Sequence, residues 1–305
     1  MVGESVMKRR KKKIELFDVI NILLVVTITL LILYPLYFCI VASFSSPTEV
    51  SAGNTLLFVK DFTLDNYIYA FRESSLWVGY RNTIFYTLFG TLYNLIMTIP
   101  AAYALSKRDL PMRNGISWYF FITMYFGGGM IPQYFLVKNL GLLDNPLSLI
   151  IGTGVACSNL IITRQYFENS IPHDLYEAAY MDGANEWKCF TRIAMPLAKP
   201  IIAVMALYYG VTRWNSYYNG LLYIRSDEYK PLQLVLREIL INSNVSVSDL
   251  GVADPDTIAH ILERANLVEG MQYAIIFIAS APLLALFPFI QKYFVQGTMV
   301  GSVKG

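Results

Sequence analysis

The feature that most constrains this fold is a set of long apolar stretches. The first runs from about Leu16 to Ala42 after a basic segment at residues 8–13, and it exceeds the roughly 7–15 apolar residues of a cleavable secretory signal. At about 1.5 Å per residue, a helix of this length spans the roughly 30 Å of a bilayer's hydrocarbon core. The chain is 55% hydrophobic and only 15% charged, against about 25% charged in a typical soluble domain. We therefore expect an integral membrane protein with an uncleaved first transmembrane helix.

Six apolar stretches are long enough to be transmembrane helices. They lie at approximately 17–42, 80–104, 116–137, 146–167, 198–222 and 272–293. The third contains three consecutive glycines, Gly127 to Gly129, followed by Pro132. We expect it either to be bent and locally irregular or to pack closely against another helix at the glycines. The predicted fold class is an all-α polytopic membrane protein with six transmembrane helices.

The distribution of basic residues predicts the orientation, because cytoplasmic loops of membrane proteins carry an excess of Lys and Arg. With the N-terminus inside, the cytoplasmic segments hold more than half of the chain's 24 Lys and Arg residues. This predicts a cytoplasmic basic N-terminus at 1–16, a transmembrane domain at 17–293 and a cytoplasmic tail at 294–305. Both termini are then cytoplasmic, and a large extracellular loop covers 223–271.

This extracellular loop is too long to be structureless. Within 231–240, apolar residues at 232, 235, 236, 239 and 240 follow the pattern of an amphipathic helix. A second short helix is expected at about 255–266, where Asp254 can cap and Pro255 can occupy the first helical position. A loop of this kind suits contact with a soluble partner or a lid, and a simple solvated cover also fits the pattern.

A cytoplasmic loop at 168–197, between the fourth and fifth spans, carries a short helix with signals at both ends. Asp174 can cap its first turn, and Glu177 three residues later completes a capping-box pattern. Gly183 supplies the left-handed residue that ends the helix after about two turns. A second helical segment is expected from about Asn185, closed by Pro196.

A two-turn helix is marginal in water, so this one needs a surface to pack against. Ala178 and Ala179 leave a low profile that another protein can approach closely. From spacing alone, the loop could equally be an ordinary connector in which Glu177 is only a capping residue.

Polar and aromatic side chains recur at helical spacing within two spans, where such groups usually face the protein interior. In the fifth span they are Tyr208, Thr212, Asn215 and Asn219, with Arg213, Trp214, Tyr217 and Tyr218 beside them, and in the second span they are Asn82, Tyr86 and Tyr93. Aromatic faces stack on sugar rings, and amides and hydroxyls pair with sugar hydroxyls, so both stripes suit a carbohydrate path. The alternative is an interfacial aromatic belt formed by Trp214, Tyr217 and Tyr218, with Arg213 extending outward to the headgroups.

The sequence carries no sign of an enzyme or a metal site. Cys39, Cys157 and Cys189 are far apart and odd in number, and His173 and His260 are isolated. The spans lack the paired carboxylates or histidines that an intramembrane enzyme would need. Because no Gly-Lys-Ser/Thr occurs, there is no P-loop to bind a nucleotide. We expect no catalytic residues and no bound metal.

The cytoplasmic loop resembles the EAA loop of ABC-importer permeases. Glu177-Ala178-Ala179, three residues, Gly183, nine residues and Ile193-Ala194-Met195-Pro196 are similar to the family pattern Glu-Ala-Ala, three residues, Gly, nine residues, Ile-x-Leu-Pro. Met195 in place of leucine is the only departure, and the two side chains are of comparable size.

Other segments resemble a narrower group of these permeases. Residues 100–107 and the pair Trp214-Asn215 are similar to those of the maltose-type carbohydrate importers. Residues 294–305 are similar to the end of the subfamily for complex oligosaccharides such as aldouronates.

The resemblance implies a type I ABC importer permease fold that forms half of a translocation path for an oligosaccharide. The implied partners are a second homologous permease in a heterodimer, an ATPase dimer on the cytoplasmic side, an extracellular solute-binding protein and the lipid of the bacterial plasma membrane, with no nucleic acid. ATP and Mg²⁺ would be bound by the ATPase, and this chain would hold no cofactor. The residues implied to couple to the ATPase are Glu177, Ala178, Ala179, Asp182, Gly183, Ile193 and Pro196.

Two alternatives stay open within transport. Importers of amino acids, phosphate or metal chelates share the EAA loop, so another solute class is compatible with it. An independent secondary transporter would normally show inverted repeats with its own ion-coupling residues, and the sequence shows no convincing internal repeat.

Overall fold

A computed structural model describes residues 16–248 and 268–285, together with residue 288. These residues form helices and connecting loops, with no strand among them. The helices are α1 (Leu16–Ser43), α2 (Pro47–Ser51), α3 (Asp65–Arg72), α4 (Ser74–Ser106), α5 (Arg113–Tyr125), α6 (Met130–Asn139), α7 (Leu147–Ile151), α8 (Cys157–Ser170), α9 (His173–Met181), α10 (Glu186–Leu197), α11 (Lys199–Trp214), α12 (Tyr217–Tyr223), α13 (Leu232–Ser248) and α14 (Val268–Ala285).

Three of these helices, α1, α4 and α14, are long and apolar enough to cross a membrane. Two bent pairs meet the same criterion together, α5 with α6 at 111° and α10 with α11 at 77°. The described residues therefore contain three candidate spans, or five if each bent pair is one span, and six transmembrane helices are not confirmed. The predicted fourth stretch forms α7 and α8, separated by residues 152–156, and neither helix alone reaches the length of a span.

The predicted third span is broken at its glycines. Helix α5 ends at Tyr125, α6 begins at Met130, and Gly129 has a φ of +82°. A side chain added at Gly127 or Gly129 would meet no described atom within 4 Å, so no described helix packs closely at these two positions. The expectation of an irregular, bent span is confirmed.

Helix α4 is the centre of the described fold, because α8, α11 and α13 all pack against it. At its first half, Gly79 allows close approach of α13: a Cβ there would lie 3.0 Å from the Leu232 Cα. The Leu232 N–H donates to the Thr83 hydroxyl at 2.8 Å. The amphipathic helix predicted within 231–240 is confirmed as the start of α13. Its Leu232 and Leu236 are buried against α4 and α14, so this segment is more than a solvated cover.

Several predictions from the sequence fall outside the described residues. They are the basic segment at 8–13, the second loop helix at 255–266 and the tail at 294–305. The predicted sixth span is described as far as Ala285.

A buried arginine and asparagine satisfy the backbone at the break between α7 and α8. Arg213 of α11 is 7% exposed. Its Nε and Nη2 donate to the Asn94 Oδ1 at 3.1 and 3.0 Å. Its guanidinium also donates to the carbonyls of Leu149 and Thr153. The Asn94 amide in turn donates to the carbonyls of Thr153 and Gly154.

These bonds explain how irregular backbone persists next to two candidate spans. Non-helical backbone at membrane depth is tolerated only where protein or a water-filled cavity satisfies it. Gly90 of α4 provides the room, since a Cβ there would lie 2.9 Å from the Arg213 Nε.

Replacing this arginine should destabilise the fold. In Arg213→Met, the Leu149 carbonyl and the Asn94 amide oxygen lose the arginine as donor, while the Thr153 carbonyl keeps only the Asn94 amide. Each buried polar group left unpaired costs about 1–3 kcal/mol. We expect a lower Tm of the detergent-purified protein by differential scanning fluorimetry. The exposed Arg192 provides the matched control, and equal Tm values for Arg213→Met and Arg192→Met would contradict the structural role.

Candidate functional site

The start of α9 differs from the sequence prediction. The helix begins at His173 after Pro172, and no side chain caps its first turn. Asp174 already has helical backbone, so it cannot act as the N-cap, and the Glu177 carboxylate instead contacts the His173 Nδ1 at 3.1 Å. The predicted capping box is therefore wrong, because the helix starts two residues too early for it: its N-cap is Pro172 rather than Asp174. Asp174 still favours the helix as an acidic residue in its first turn.

The end of α9 matches the prediction. Gly183 has a φ of +75°. Its N–H donates to the Tyr180 carbonyl at 3.0 Å, and the Ala184 N–H donates to the Ala179 carbonyl at 2.9 Å. This pair of bonds is the Schellman motif, in which glycine supplies the left-handed residue. A Cβ at Gly183 would meet no described atom within 4 Å, so backbone conformation rather than space requires glycine.

The second helical segment begins where expected but is not regular. The Asn185 Oδ1 accepts from the Lys188 N–H at 2.9 Å and caps α10. A π-helical turn follows at Cys189–Ala194, where the Met195 N–H donates to the Phe190 carbonyl. Pro196 was expected to close the segment, but α10 continues to Leu197 before the chain bends into α11.

The predicted coupling residues divide into an exposed and a packed set. Glu177, Ala178, Asp182 and Gly183 are exposed, and Pro196 is exposed near the bend between α10 and α11. The other two, Ala179 and Ile193, are half-buried against the core cluster that contains Ile99, Phe167 and Met205. The structure therefore brings four of the seven to the surface of α9 and its C-terminal turn.

Two large apolar side chains are exposed beside these residues. Met181 is 89% exposed and Trp187 is 69% exposed. We call the exposed set Leu175, Glu177, Ala178, Met181, Asp182, Gly183 and Trp187 the α9 surface. Its combination of bulky apolar groups with small residues is typical of a protein contact surface.

A cleft of about 570 Å³ adjoins the α9 surface. The ends of α4 and α8 and the start of α9 line it. Its ionisable side chains carry both signs of charge: Lys107, Arg108, Arg113, Glu168, His173 and Glu177. The cleft therefore presents a surface of mixed charge next to Glu177.

The inner side of α9 is held by Tyr176, which is buried in the core cluster with Tyr103 and Phe190. Burial raises the pKa of Tyr176 to about 12. Burial, followed by its hydrogen bond to the Glu186 carboxylate, raises the pKa of Tyr180. Burial lowers the pKa of the Lys107 ammonium, and Glu186 acts in the opposite direction. Both phenols therefore stay protonated and able to donate near neutral pH.

The polar residues of the second span do not face an open path. The Asn82 Nδ2 donates to the carbonyls of Glu228 and Lys230 at 2.8 and 3.0 Å. The Tyr86 hydroxyl donates to the Tyr229 carbonyl at 2.8 Å. Both side chains are buried and attach residues 228–230 to α4. Tyr93 is half-buried, and its hydroxyl lies 3.3 Å from where a Cβ of Gly154 would stand.

At Arg213 and Trp214 of the fifth span, the structure differs from both the carbohydrate-path and the aromatic-belt interpretations of the sequence. Trp214 is 6% exposed, and its Nε1 donates to the Ala279 carbonyl of α14 at 3.3 Å. Arg213 is buried in the bonds described above rather than extended to the headgroups. The belt interpretation is therefore wrong for Trp214, and the outward position is wrong for Arg213, because both side chains have interior hydrogen-bond partners.

The remaining residues of that stripe lie at the surface. Tyr208, Thr212 and Asn215 are exposed along one side of α11, and Asn219 is half-buried in α12. The Thr212 hydroxyl donates to the Tyr208 carbonyl at 2.8 Å, and the Asn215 Nδ2 donates to the Val211 carbonyl at 3.0 Å. We call Tyr208, Thr212 and Asn215 the α11 stripe.

Sequence reasoning missed the residues behind α9. Lys107 was used only as a cation that sets the orientation and as part of the 100–107 resemblance, and Tyr176, Tyr180 and Glu186 were given no role. Their spacing along the chain carries no common motif, and only the fold brings them together. Within the described part of the chain, no group of three or more His, Cys, Asp or Glu side chains could hold a metal ion.

Comparison with known proteins identifies the family. Residues 74–300 match the family described as the binding-protein-dependent transport system inner membrane component. The chain therefore belongs to this family of membrane permeases, and its membrane location and transport class are as predicted. An independent secondary transporter is set aside.

Individual relatives are similar over nearly the whole chain. Protein LplC of Bacillus subtilis is 39% identical over 291 residues, covering 95% of this chain and 96% of the relative. The polygalacturonan/rhamnogalacturonan transport system permease protein YtcP of the same organism is 36% identical, covering 96% of this chain and 100% of the relative.

A solved structure shares the fold. It is the crystal structure of a bacterial ABC transporter involved in the import of the acidic polysaccharide alginate, and its matching chain has a TM-score of 0.81 and 35% identity. The match covers 91% of this chain and 96% of that chain.

The end of α9 provides a direct test of the local geometry. In Gly183→Val, a β-branched residue must adopt a positive φ, which costs about 1–2 kcal/mol, so we expect faster amide hydrogen exchange across residues 173–181. Gly115→Val is the matched control, because Gly115 has no unusual φ and open space at its Cβ. Unchanged exchange in Gly183→Val would contradict the Schellman geometry.

Proposed function

We propose that this chain is one permease half of an ATP-driven, binding-protein-dependent oligosaccharide importer, coupled to a separate ATPase through α9. The observation that carries the proposal is the α9 surface. Glu177, Ala178 and Gly183 of the EAA pattern are exposed on a short helix and the turn that ends it, and the chain itself fixes the inner side and the C-terminal end of this helix. The family assignment makes such a loop the natural contact for an energy-supplying subunit.

The distribution of apolar surface supports the proposal that this chain forms half of a translocation path and that a second permease forms the other half. The candidate span in α1 is 0% buried and that in α4 is 39% buried within the described part. Lipid and a second, homologous permease together would cover such a surface. The exposed α11 stripe then faces the shared path, while Asn82, Tyr86 and Trp214 support the walls behind it.

The proposed substrate is an oligosaccharide, as in the subfamily for complex oligosaccharides such as aldouronates. The named relatives favour sugars over amino acids or phosphate: besides the pectic and alginate systems, a relative from Halalkalibacterium halodurans is named an arabinooligosaccharides transport system permease protein, at 30% identity. The α11 stripe offers a phenol, a hydroxyl and an amide, which can stack on and hydrogen-bond to sugar rings.

The energy would come from outside this chain. ATP and Mg²⁺ would be bound by an ATPase dimer on the cytoplasmic side, since the sequence contains no P-loop. A solute-binding protein on the opposite side would deliver the sugar. This arrangement places the chain in the bacterial plasma membrane with both termini cytoplasmic.

Charge reversal on α9 tests the coupling role. In Glu177→Lys, the fold should be retained because the side chain is exposed. We expect uptake and substrate-stimulated ATP hydrolysis by the reconstituted importer to fall at least about fivefold, equivalent to ~1 kcal/mol. Assembly, measured by co-purification of the subunits, should persist.

Asp109→Lys provides the matched control for this test. It makes the same charge reversal at an exposed position of the α4–α5 loop that is not part of the α9 surface. Wild-type uptake by Glu177→Lys, or an equal loss in both variants, would refute the coupling assignment.

Substitutions in the α11 stripe test the path. Thr212→Val and Asn215→Ala remove groups that can pair with sugar hydroxyls, so we expect a raised KM for uptake or altered preference among oligosaccharides of different length. Thr29→Val of α1 is the control, because the Thr29 hydroxyl also donates to the carbonyl four residues before it, at 2.7 Å. Identical transport kinetics in all three variants would remove the stripe from the path.

A further inference from the structure

Lys107 lies directly after the end of α4 and beneath α9, surrounded by aromatic rings. Its side chain is only 14% exposed. Its Nζ lies 3.5 Å from the ring centroid of Tyr176, 4.8 Å from that of Tyr103 and 5.7 Å from that of Tyr180. Distances of this size place an ammonium within the range of cation–π attraction.

A single carboxylate completes the site. The Glu186 Oε2 lies 3.9 Å from the Lys107 Nζ and accepts from the Tyr103 hydroxyl at 3.1 Å. The Glu186 Oε1 accepts from the Tyr180 hydroxyl, and the Lys107 Nζ donates to that hydroxyl at 3.3 Å. We call Tyr103, Lys107, Tyr176, Tyr180 and Glu186 the lysine cage.

The lysine cage connects three elements of the fold. Tyr103 lies in α4 and Lys107 directly after it, the other two tyrosines belong to α9, and Glu186 is the first residue of α10. The bond between Tyr180 and Glu186 crosses the Gly183 turn, so α9 and α10 are joined to each other as well as to α4. A displacement of α9 therefore reaches α4 through the cage.

The cation–π contacts of Lys107 are suited to holding α9 against α4 while the two helices move relative to each other. A cation is attracted to the face of a ring as a whole, so a small sliding motion changes the attraction gradually. A hydrogen bond weakens steeply as its angle departs from linear. Three rings and a carboxylate around one ammonium can thus keep α9 attached to α4 over a range of positions.

We propose that Lys107 is a positioning residue that transmits the displacement of α9 to α4 during transport. This inference rests on the proposed coupling function of the α9 surface. Glu177 faces the partner on the outer side of α9, and Lys107 engages the inner side of the same helix. Loss of the ammonium should therefore uncouple ATP hydrolysis from sugar movement rather than prevent either subunit from assembling.

The test measures sugar taken up per ATP hydrolysed by the complete importer in liposomes, with its binding protein and substrate present. Lys107→Met preserves the apolar stem and removes the charge, and we expect the ratio to fall at least threefold while ATP hydrolysis continues. Lys107→Arg retains a cation and Tyr176→Phe retains the ring, so both should keep the wild-type ratio. Arg108→Met is the matched control, because it removes the adjacent, exposed cation outside the cage.

Three results would overturn the inference. They are a wild-type ratio in Lys107→Met, an equal loss in Arg108→Met, and a failure of Lys107→Arg to restore the ratio. Parallel loss of uptake and hydrolysis at a constant ratio would also overturn it, because that pattern reports lost assembly or folding.

Failure of the proposed function would look different. A wild-type complex without ATP-dependent sugar uptake would refute the importer assignment itself. If the wild type transports and Glu177→Lys does not, a normal ratio in Lys107→Met would refute only the role of the cage.

Hydrogen exchange of residues 173–181 in the purified permease adds a measurement that needs neither substrate nor ATPase. Lys107→Met should accelerate this exchange, and Arg108→Met should not. Unchanged exchange in Lys107→Met would contradict the attachment of α9 to α4 through the cage.

Discussion

The constraint on which the described structure depends is the need to satisfy backbone polar groups away from water. Regular helices do this for themselves, but the chain departs from helix at 152–156 and at 228–230, both against α4. At residues 152–156, Arg213 and Asn94 donate to backbone carbonyls at the break between α7 and α8. At residues 228–230, Asn82 and Tyr86 donate to backbone carbonyls. Asn82, Tyr86 and Asn94 of α4 thus donate to the backbone of neighbouring segments, which helps this helix to organise the fold.

The same helix connects the candidate site to the rest of the molecule. Its C-terminal end carries the lysine cage under α9, and Asn94 near its middle accepts from Arg213 of α11. Helix α11 in turn carries the α11 stripe on its exposed side. A shift of α9 therefore has a continuous chain of packed and hydrogen-bonded contacts to the proposed path. Contiguity alone does not demonstrate coupling, and the ratio of uptake to hydrolysis is the quantity that does.

Sequence reasoning succeeded where a feature depends on neighbouring residues. The glycine break after Tyr125, the left-handed Gly183 and the amphipathic start of α13 all follow from local conformational preference or periodicity. It did not identify hydrogen-bond partners that are distant in sequence. Asn82 was assigned to the path, but its side chain donates to the carbonyls of residues 228 and 230. Trp214 was assigned either to the path or to an aromatic belt, but its side chain donates to the carbonyl of Ala279. The capping box failed for a smaller reason: its spacing was correct, but the helix starts at His173. The coupling roles of the EAA residues were predictable only through the family resemblance, and they stay predictions.

The short length of α9 explains why its inner side is so heavily bonded. A helix of nine residues is marginal alone, yet a docking element binds best when its bound conformation is already formed, since ordering it on contact would consume part of the binding free energy. The chain resolves this by fixing α9 from behind and at its end, with the buried Tyr176, the lysine cage and the Gly183 turn. None of these uses the side chains of Ala178 or Met181, and Glu177 has only an exposed contact with His173 of the same helix among the contacts described above. A surface of this kind can be matched to a partner without loss of the helix that presents it.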